Sequence, residues 1–370
     1  MFQVASRMGP SCRLRARRRG MLGRGARMRR RRMRRPGRAR AAARQDGSVT
    51  IAGLDVGGTK IAGVALAARP GGGASATPAW GLDDVLVRTH RPHRIHGPEA
   101  LLDALEGAVR ELDAQLADLG SPPVAAVGLA IAAWMPRDRA SIIWAAHLGV
   151  RDFALRSALA ERLGVPVTID NDANGYLVGE AAMGAAADAS SSILIALGTG
   201  VGGAFVADGR PLLGAHGLAG ELGHVTVDES GPVCSCTARG CIEAYAGGNA
   251  LARDAAAVPA AVALAPGDRP TALHLERAAR AGDATALAVM ERAGWAVAAG
   301  LRRLLPAFDP EVVVLGGRVM LAAADLLLPV IERELAAHAP LQGVPQPRRL
   351  ELARLGDHAA AIGAAVLAAR

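Results

Sequence analysis

The sequence predicts an α/β protein with two related domains, and three observations support this fold class. Apolar segments of strand length and of helix length alternate along most of the chain, which is typical of sheets covered by helices. A strand, glycine turn, strand pattern occurs at residues 57–59 and again at 198–200. The length of 370 residues and the 51% hydrophobic content suffice for two buried cores.

The first half is expected to form one α/β unit. VTIAGLD and IAGVAL flank Gly57-Gly58-Thr59, which predicts a hairpin. From Pro98 to Leu119, leucine and valine recur every three or four residues and predict a helix with one apolar face. A strand at 124–131, a helix at 153–163 and a strand at 165–170 are expected to follow.

The second half is expected to repeat this plan. ILIAL and GGAFVA flank Gly198-Thr199-Gly200 and predict a second hairpin. Mostly helical sequence leads to Leu305, and the predicted elements after it are a strand at 311–317, a helix at 320–337, a strand at 349–353 and a closing helix from Asp357. The predicted domains are 49–169, completed by 357–370, and 170–356.

Before Val49 the composition differs sharply. Residues 1–46 hold 17 arginines and one acidic residue, so they carry +16 in a chain of net charge +9 and leave −7 for the rest. Without apolar periodicity or an apolar signal segment, residues 1–48 are predicted to be a disordered tail. Two interpretations stay open: a nonspecific anion-binding arm, or a leader translated upstream of a later start such as Met33. No specific nucleic-acid partner is expected.

The remaining composition indicates a cytoplasmic protein. No uncharged apolar run reaches the roughly 18 residues that a membrane span needs, so no membrane partner is expected. Of four cysteines, three lie between Cys234 and Cys241. This spacing does not resemble a disulfide framework and favours a metal site in a reducing compartment.

Both glycine turns are candidate phosphate-binding sites, because consecutive glycines let backbone N–H groups face one concavity. A single turn of this kind is more often only a tight turn, but two, each with a threonine, favour phosphate binding. Asp55 at a strand end is a candidate Mg²⁺-associated carboxylate, and Lys60 is the only lysine in the chain. The candidate ATP-binding residues in these turns are Asp55, Gly57, Gly58, Thr59, Lys60, Gly198, Thr199 and Gly200.

The segment TIDNDANGYLVGE places Asp170-Asn171-Asp172 where a predicted strand ends and a helix begins. Polar side chains at the carboxyl edge of a sheet commonly form α/β active sites. A carboxylate there can accept the proton of a hydroxyl that attacks a γ-phosphorus. The alternative is that these residues only cap the helix.

One imidazole and three thiols lie within eighteen residues: His224, Cys234, Cys236 and Cys241. This donor set suits a closed tetrahedral Zn²⁺ site. The alternative is that the thiols are ordinary buried side chains. Glu221 and Glu243 flank the same loop, and their carboxylates are suitable acceptors for sugar hydroxyls.

Taken together, DVGGTK, IDNDAN, LGTGVGG, ELGH followed by CSCTARGCIE, and VVVLGG resemble the ROK family of sugar kinases and related repressors from about Val49 to the end. The segment IIWAAHLGVRDFALRSALAERLGVPV is similar to the actinobacterial-type glucokinases of that family. The resemblance implies a two-domain fold of the actin-like, ribonuclease H-like type, with an interdomain cleft. It also implies a homodimer or homotetramer.

The resemblance further implies an ATP-dependent glucose kinase with Mg²⁺ and structural Zn²⁺. Asp172 is then the catalytic base, and Gly316 and Gly317 lie on the adenosine side. The implied sugar-binding residues are Asn171, Asp172, Glu221, His224 and Glu243. His224 would serve both the zinc and the sugar.

Some features depart from the family pattern or leave the substrate open. Ala133 and Trp134 stand where the family usually has a glycine, and Thr237 replaces a glycine that the loop can spare only if no positive φ is needed. Fructose, mannose or an N-acetylhexosamine could replace glucose, and polyphosphate could replace ATP. A transcriptional regulator is the less favoured alternative, because no helix-turn-helix pattern precedes Val49.

Overall fold

The fold is described from a computed structural model, which describes residues 49–68, 80–338, 347 and 349–370. The predicted disordered tail lies outside the described residues. Within these ranges, no helix combines the length and the apolar character that crossing a membrane requires.

The described strands fall into two five-stranded sheets and one small hairpin. Their bounds are β1 Val49–Val56, β2 Lys60–Ala68, β3 Val85–Pro92, β4 Val124–Ile131, β5 Ile142–Ala145, β6 Val150–Phe153, β7 Val167–Asn171, β8 Ser191–Leu197, β9 Val201–Ala207, β10 Arg210–Pro211, β11 Val312–Gly316 and β12 Arg349–Leu352.

Both large sheets have the same topology. The first sheet has the order β3-β2-β1-β4-β7 and the second sheet has the order β10-β9-β8-β11-β12. In each, three antiparallel strands are followed by two parallel ones. The repeated strand order confirms the predicted duplication and the predicted actin-like fold class.

The helices cover these sheets. Their bounds are α1 Pro98–Asp118, α2 Leu155–Leu163, α3 Asp172–Met183, α4 Ile242–Ala246, α5 Gly248–Ala255, α6 Pro259–Ala263, α7 Ala272–Arg280, α8 Ala284–Phe308, α9 Arg318–Ala322, α10 Ala324–Ala337 and α11 Ala359–Ala368. Seven buried side chains of α1, at the predicted three- and four-residue spacing, pack on the first sheet.

Helices α3 and α11 lie between the two sheets. The closing helix α11 packs on the first sheet, α3 packs on the second, and the two helices contact each other. Glycine permits this contact, because a Cβ at Gly363 would overlap the carbonyl of Gly175. Glu180 of α3 fixes the arrangement, since its buried carboxylate accepts hydrogen bonds from the N–H groups of Ala185, Arg354 and Leu355. One continuous apolar cluster therefore joins the sheets.

We expect Gly128→Ala to destabilise the fold by roughly 2 kcal/mol or more, because a Cβ at Gly128 in β4 would overlap the backbone carbonyl of Ala364 in α11. The change should lower the midpoint of thermal unfolding. Gly58→Ala is the matched control, since a Cβ there meets no atom within 4 Å. Equal unfolding midpoints for the two variants would contradict the close packing of α11.

Most predicted elements are present with shifts of one or two residues, but some were missed. The alternating burial of Val85, Val87 and Thr89 marks β3, an amphipathic pattern that the sequence reading overlooked. The helix predicted over 320–337 is two helices, which meet at Ala323. The helix predicted from Phe153 begins at Leu155, because Phe153 pairs with Ile142 in the β5-β6 hairpin. The domain boundary at 169/170 stays a prediction.

Candidate active site

The first glycine turn follows β1 and is held from behind by His93. The backbone N–H of His93 donates to the Thr59 carbonyl at 2.9 Å. Its Nδ1 accepts the N–H of Ile95 at 3.2 Å, so its Nε2 is the nitrogen that donates to the Gly57 carbonyl at 2.8 Å. Because a trans peptide points its C=O and N–H in opposite directions, these bonds leave the N–H of Gly58 facing away from His93.

The second glycine turn follows β8 and is held in a similar way. The carbonyls of Gly198 and Thr199 accept the N–H groups of Gly248 and Asn249 at the start of α5, both at 2.9 Å. Both turns therefore have carbonyls bound by a neighbouring segment, an arrangement that suits binding of an anion by the opposite N–H groups.

A third turn, Gly316-Gly317, ends β11. Gly317 has φ of 82°, and a Cβ there would overlap the backbone of Leu197 at the end of β8. Only glycine fits this approach. The N–H of Gly317 donates to the hydroxyl of Tyr176 in α3 at 3.4 Å, so this turn contacts the helix that begins at Asp172.

Asn171, not Asp172, caps α3. The Asn171 Oδ1 accepts the N–H of Ala173 at 2.9 Å, while its Nδ2 has no hydrogen-bond partner within the described part of the chain. Asp172 also accepts the Ala173 N–H through Oδ1, at 3.0 Å. Because Asn171 already supplies the cap, capping alone does not account for a carboxylate at Asp172.

Two carboxyl groups in the cleft are hard to ionise. Burial, and then the negative charge of Asp172, raise the pKa of Asp55 to about 7, against the opposing effect of Lys60. Burial also raises the pKa of Asp172, and the charge of Glu221 adds to that increase. These interactions place the ends of β1 and β7 and the segment at Glu221 around one site, with carboxyl pKa values moved towards those of a general base.

A pocket with a cavity volume of about 110 Å³ lies in front of Asp172. Asn171, Asp172 and Glu221 all line it, together with Ala133. Burial raises the pKa of Glu221 despite the opposing effect of His224. The pocket thus brings together three of the predicted sugar-binding residues, and Ala133, where the family glycine is absent, forms part of its wall.

Arg139, which the sequence reading missed, also lines the pocket. Its guanidinium is buried, with Nε 3.0 Å from the carboxylate of Asp170 and Nη1 donating to the Gly217 carbonyl at 3.0 Å. Asp170 in turn accepts the N–H of Asn171 at 2.7 Å. Arg139 therefore links the loop before Glu221 to the DNDAN segment.

The four predicted metal ligands converge. Their ligand atoms all lie within 4.8 Å of one another. The Sγ atoms of Cys236 and Cys241 are 3.7 Å apart, and Cys234 Sγ lies 3.5 Å from His224 Nδ1. Zn–S bonds of about 2.3 Å and Zn–N bonds of about 2.05 Å in a tetrahedron require separations of about 3.8 and 3.6 Å. The donor set and its geometry fit Zn²⁺.

The metal-ligand cluster is connected to Glu221 through its member His224, and Glu243 contacts it through Cys234. The Nε2 of His224 faces Glu221 at 4.0 Å, opposite the nitrogen that faces Cys234. Glu243 does not line the pocket: its carboxylate accepts the N–H of Val201 at 2.9 Å and the hydroxyl of Ser235 at 2.5 Å. Glu243 therefore joins the second glycine turn to the cysteine loop.

Thr237 has φ of 73°. The loop therefore does need a positive φ at this position, and the replacement of glycine by threonine is not free of strain. A β-branched residue in this left-handed region is strained by roughly 1–2 kcal/mol. We expect Thr237→Gly to stabilise the protein by about 1 kcal/mol, measured by denaturant unfolding. Thr226→Gly, in the same region but without positive φ, should not stabilise it. A destabilised Thr237→Gly variant would contradict this expectation.

The predicted nucleotide-binding residues lie at the ends of β1, β8 and β11, in and beside the three glycine turns. Lys60 is the first residue of β2, and its ammonium group lies 2.5 Å from the carboxylate of Asp357, just before α11. His93, Arg139, Tyr176 and Asp357 were missed. Their contacts join segments far apart in the sequence, and no local motif marks them.

Residues 51–370 match the model of the ROK family. The glucokinase of Streptomyces coelicolor is 33% identical over 327 residues, covering 85% of this chain and 96% of the relative. The ROK hexokinase of Thermus thermophilus superposes with a TM-score of 0.70 at 34% identity, covering 86% of this chain and 98% of that chain. A Streptomyces griseus ROK glucokinase, solved with glucose and AMPPNP, gives a TM-score of 0.68 at 30% identity, with coverage of 86% and 99%.

Relatives of other function also match. The N-acetyl-D-glucosamine kinase of Erwinia tasmaniensis is 33% identical over 277 residues, covering 72% of this chain and 86% of the relative. The xylose repressor of Bacillus subtilis is 28% identical over 237 residues, covering 64% of this chain and 59% of the relative.

Proposed function

This chain belongs to the ROK family, and from that premise we propose that it transfers the γ-phosphoryl group of MgATP to the 6-hydroxyl of glucose. The observation that carries the proposal is the position of Asp172, which lines the pocket with Asn171 and Glu221 and interacts electrostatically with Asp55 beside the first glycine turn. A carboxylate between a polar pocket and a phosphate-binding turn is placed for phosphoryl transfer to a hydroxyl.

In the proposed reaction, Asp172 accepts the proton of the sugar hydroxyl as its oxygen attacks the γ-phosphorus. The bond from that phosphorus to the bridging oxygen breaks, and ADP leaves with the bond electrons. The raised pKa of Asp172 makes its carboxylate a stronger base at neutral pH. The Nδ2 of Asn171, which has no partner among the described residues, and the carboxylate of Glu221 would hold sugar hydroxyls at the pocket wall.

The glycine turns would hold the ATP phosphates through their N–H groups, and Asp55 would accompany Mg²⁺, whose charge would offset that of the phosphates. His224, Cys234, Cys236 and Cys241 would bind Zn²⁺. With Nδ1 on the metal side, His224 keeps Nε2–H as a donor towards the sugar side.

The proposal is tested by measuring ADP formation with a panel of hexoses, with ATP and polyphosphate as donors and with zinc content determined on the same sample. Glucose with ATP is expected to give the highest kcat/KM. Absence of turnover with every hexose, in protein that contains zinc, would refute the proposal. A preference for fructose, mannose or an N-acetylhexosamine would support the proposed kinase activity but assign it a different sugar substrate.

Phosphorylation of N-acetylglucosamine is the second candidate, because a kinase for that sugar is among the relatives that match. The two candidates differ at the sugar 2-position, where an acetamido group needs more room than a hydroxyl. Competition between glucose and N-acetylglucosamine in the same assay separates them.

We expect MgATP to bind more weakly as the pH falls below about 7, by up to tenfold per pH unit. Burial holds the proton on Asp55 up to that pH, and Mg²⁺ favours the ionised carboxylate, so binding must release the proton. Titration calorimetry between pH 6 and 8.5, corrected for the protonation of ATP itself, measures the slope. Asp55→Asn should bind weakly and lose the slope; an unchanged slope in that variant would assign the titration to another group.

A further inference from the structure

Tyr176 is a polar side chain that contacts the third glycine turn and interacts electrostatically with Asp55, and the proposed mechanism does not use it. It lies in α3, four residues after Asp172. Residues four apart share one face of a helix, so the phenol lies on the face of α3 that carries the proposed base, one turn further along.

Packing fixes the ring of Tyr176. It contacts Ala130 of β4 and the small residues Ala360 and Ala364 of α11. On its other side is the third glycine turn, where a Cβ at Gly316 would lie 2.9 Å from the Tyr176 hydroxyl and 3.0 Å from the ring edge. A Cβ at Gly316 would crowd the phenol, and without one the hydroxyl lies close to the backbone of that turn.

The Tyr176 hydroxyl has a hydrogen-bond partner for its oxygen but, within the described residues, none for its proton. Its oxygen accepts the N–H of Gly317, but within the described residues no acceptor faces its own proton. Burial, and the nearby carboxylates of Glu180, Asp357 and Asp55, raise the pKa of Tyr176 to about 12. The phenol therefore stays protonated at neutral pH and keeps one donor.

The position of Asp172 indicates which group of a bound nucleotide the Tyr176 hydroxyl would face. In a phosphoryl transfer, the base, the attacking oxygen and the γ-phosphorus are each about 3 Å apart. The γ-phosphorus of a bound nucleotide would therefore lie within roughly 6 Å of the Asp172 carboxylate, and the β-phosphorus one P–O–P bridge further away.

We propose that the Tyr176 hydroxyl donates a hydrogen bond to a phosphate oxygen of the bound nucleotide, while the same oxygen accepts the N–H of Gly317. The inference rests on the proposed function, since it assumes that ATP occupies the cleft. Tyr176 is then a nucleotide-binding residue that lies on the helix of the base and contacts the turn of the second sheet.

The test is Tyr176→Phe, which removes the hydroxyl and keeps the ring that packs on α11. We expect the KM for ATP, and the Kd for ATP and ADP measured by calorimetry with Mg²⁺, to rise about tenfold, as for the loss of one hydrogen bond to a charged group. The Kd for adenosine, the KM for glucose and the thermal midpoint should not change. Tyr245→Phe is the matched control, because Tyr245, the other tyrosine of the chain, donates to Asp228.

Two results would overturn the inference alone: wild-type affinity for ATP in Tyr176→Phe, or an equal loss of affinity for ATP and adenosine, which would mean that the hydroxyl only supports the glycine turn. Wild-type protein that binds no nucleotide would overturn the proposed function together with the inference. The two failures are therefore distinguishable.

Discussion

Asp172→Asn is expected to lower kcat for sugar phosphorylation by roughly 10²–10⁴-fold, the usual contribution of a general base. An amide cannot accept the hydroxyl proton, so the attacking oxygen must lose it to water. The substitution is otherwise mild, because the asparagine Oδ1 can still accept the N–H of Ala173 and Asn171 still caps α3. We therefore expect the Kd for glucose to stay within a few-fold of the wild-type value.

The measurements are steady-state kinetics and calorimetric glucose binding on the same preparations. Asp83→Asn, at an exposed aspartate outside the site, is the control and should keep wild-type kinetics. Near-normal kcat in Asp172→Asn would remove the base assignment. Loss of glucose binding together with kcat would instead make Asp172 a binding residue.

Local patterns predicted the parts of this site that depend on neighbouring residues. A glycine turn between two apolar strands is readable from a short segment, and both such turns join two antiparallel strands as predicted. The cysteine loop was equally readable, because His224 and Cys241 are only 17 positions apart in the sequence. In both cases the residues that form the site lie in one short segment, of eighteen residues at most, so residue type and spacing carry the information.

Contacts between distant segments were not readable in this way. His93 holds a turn 36 residues earlier in the chain, and Tyr176 meets a glycine 141 residues later. Such pairs depend on how segments that are distant in the sequence pack together, which local residue patterns do not reveal. Glu243 shows the same limit: its carboxylate accepts the N–H of Val201, 42 residues earlier in the chain, a contact that its residue type does not predict, and its role in sugar binding stays a prediction.

Cys241→Ser is expected to lower bound zinc from about one ion per chain to a small fraction of that and to reduce the thermal midpoint strongly. Apparent free energies for structural Zn²⁺ in small domains are about 10–16 kcal/mol, so loss of one buried thiolate ligand removes a large contribution. Cys241 is fully buried, and its Sγ lies 3.7 Å from that of Cys236. Elemental analysis and thermal unfolding measure the two effects.

The same variant tests whether the metal loop positions the pocket. His224 faces the thiols with Nδ1 and Glu221 with Nε2, so release of the metal should free the imidazole and weaken glucose binding. Cys12→Ser removes the one cysteine outside the loop and should retain zinc. If Cys241→Ser kept both its metal and its stability, the tetrahedral site would be wrong. If it lost zinc but bound glucose normally, the loop would stabilise the fold without orienting His224.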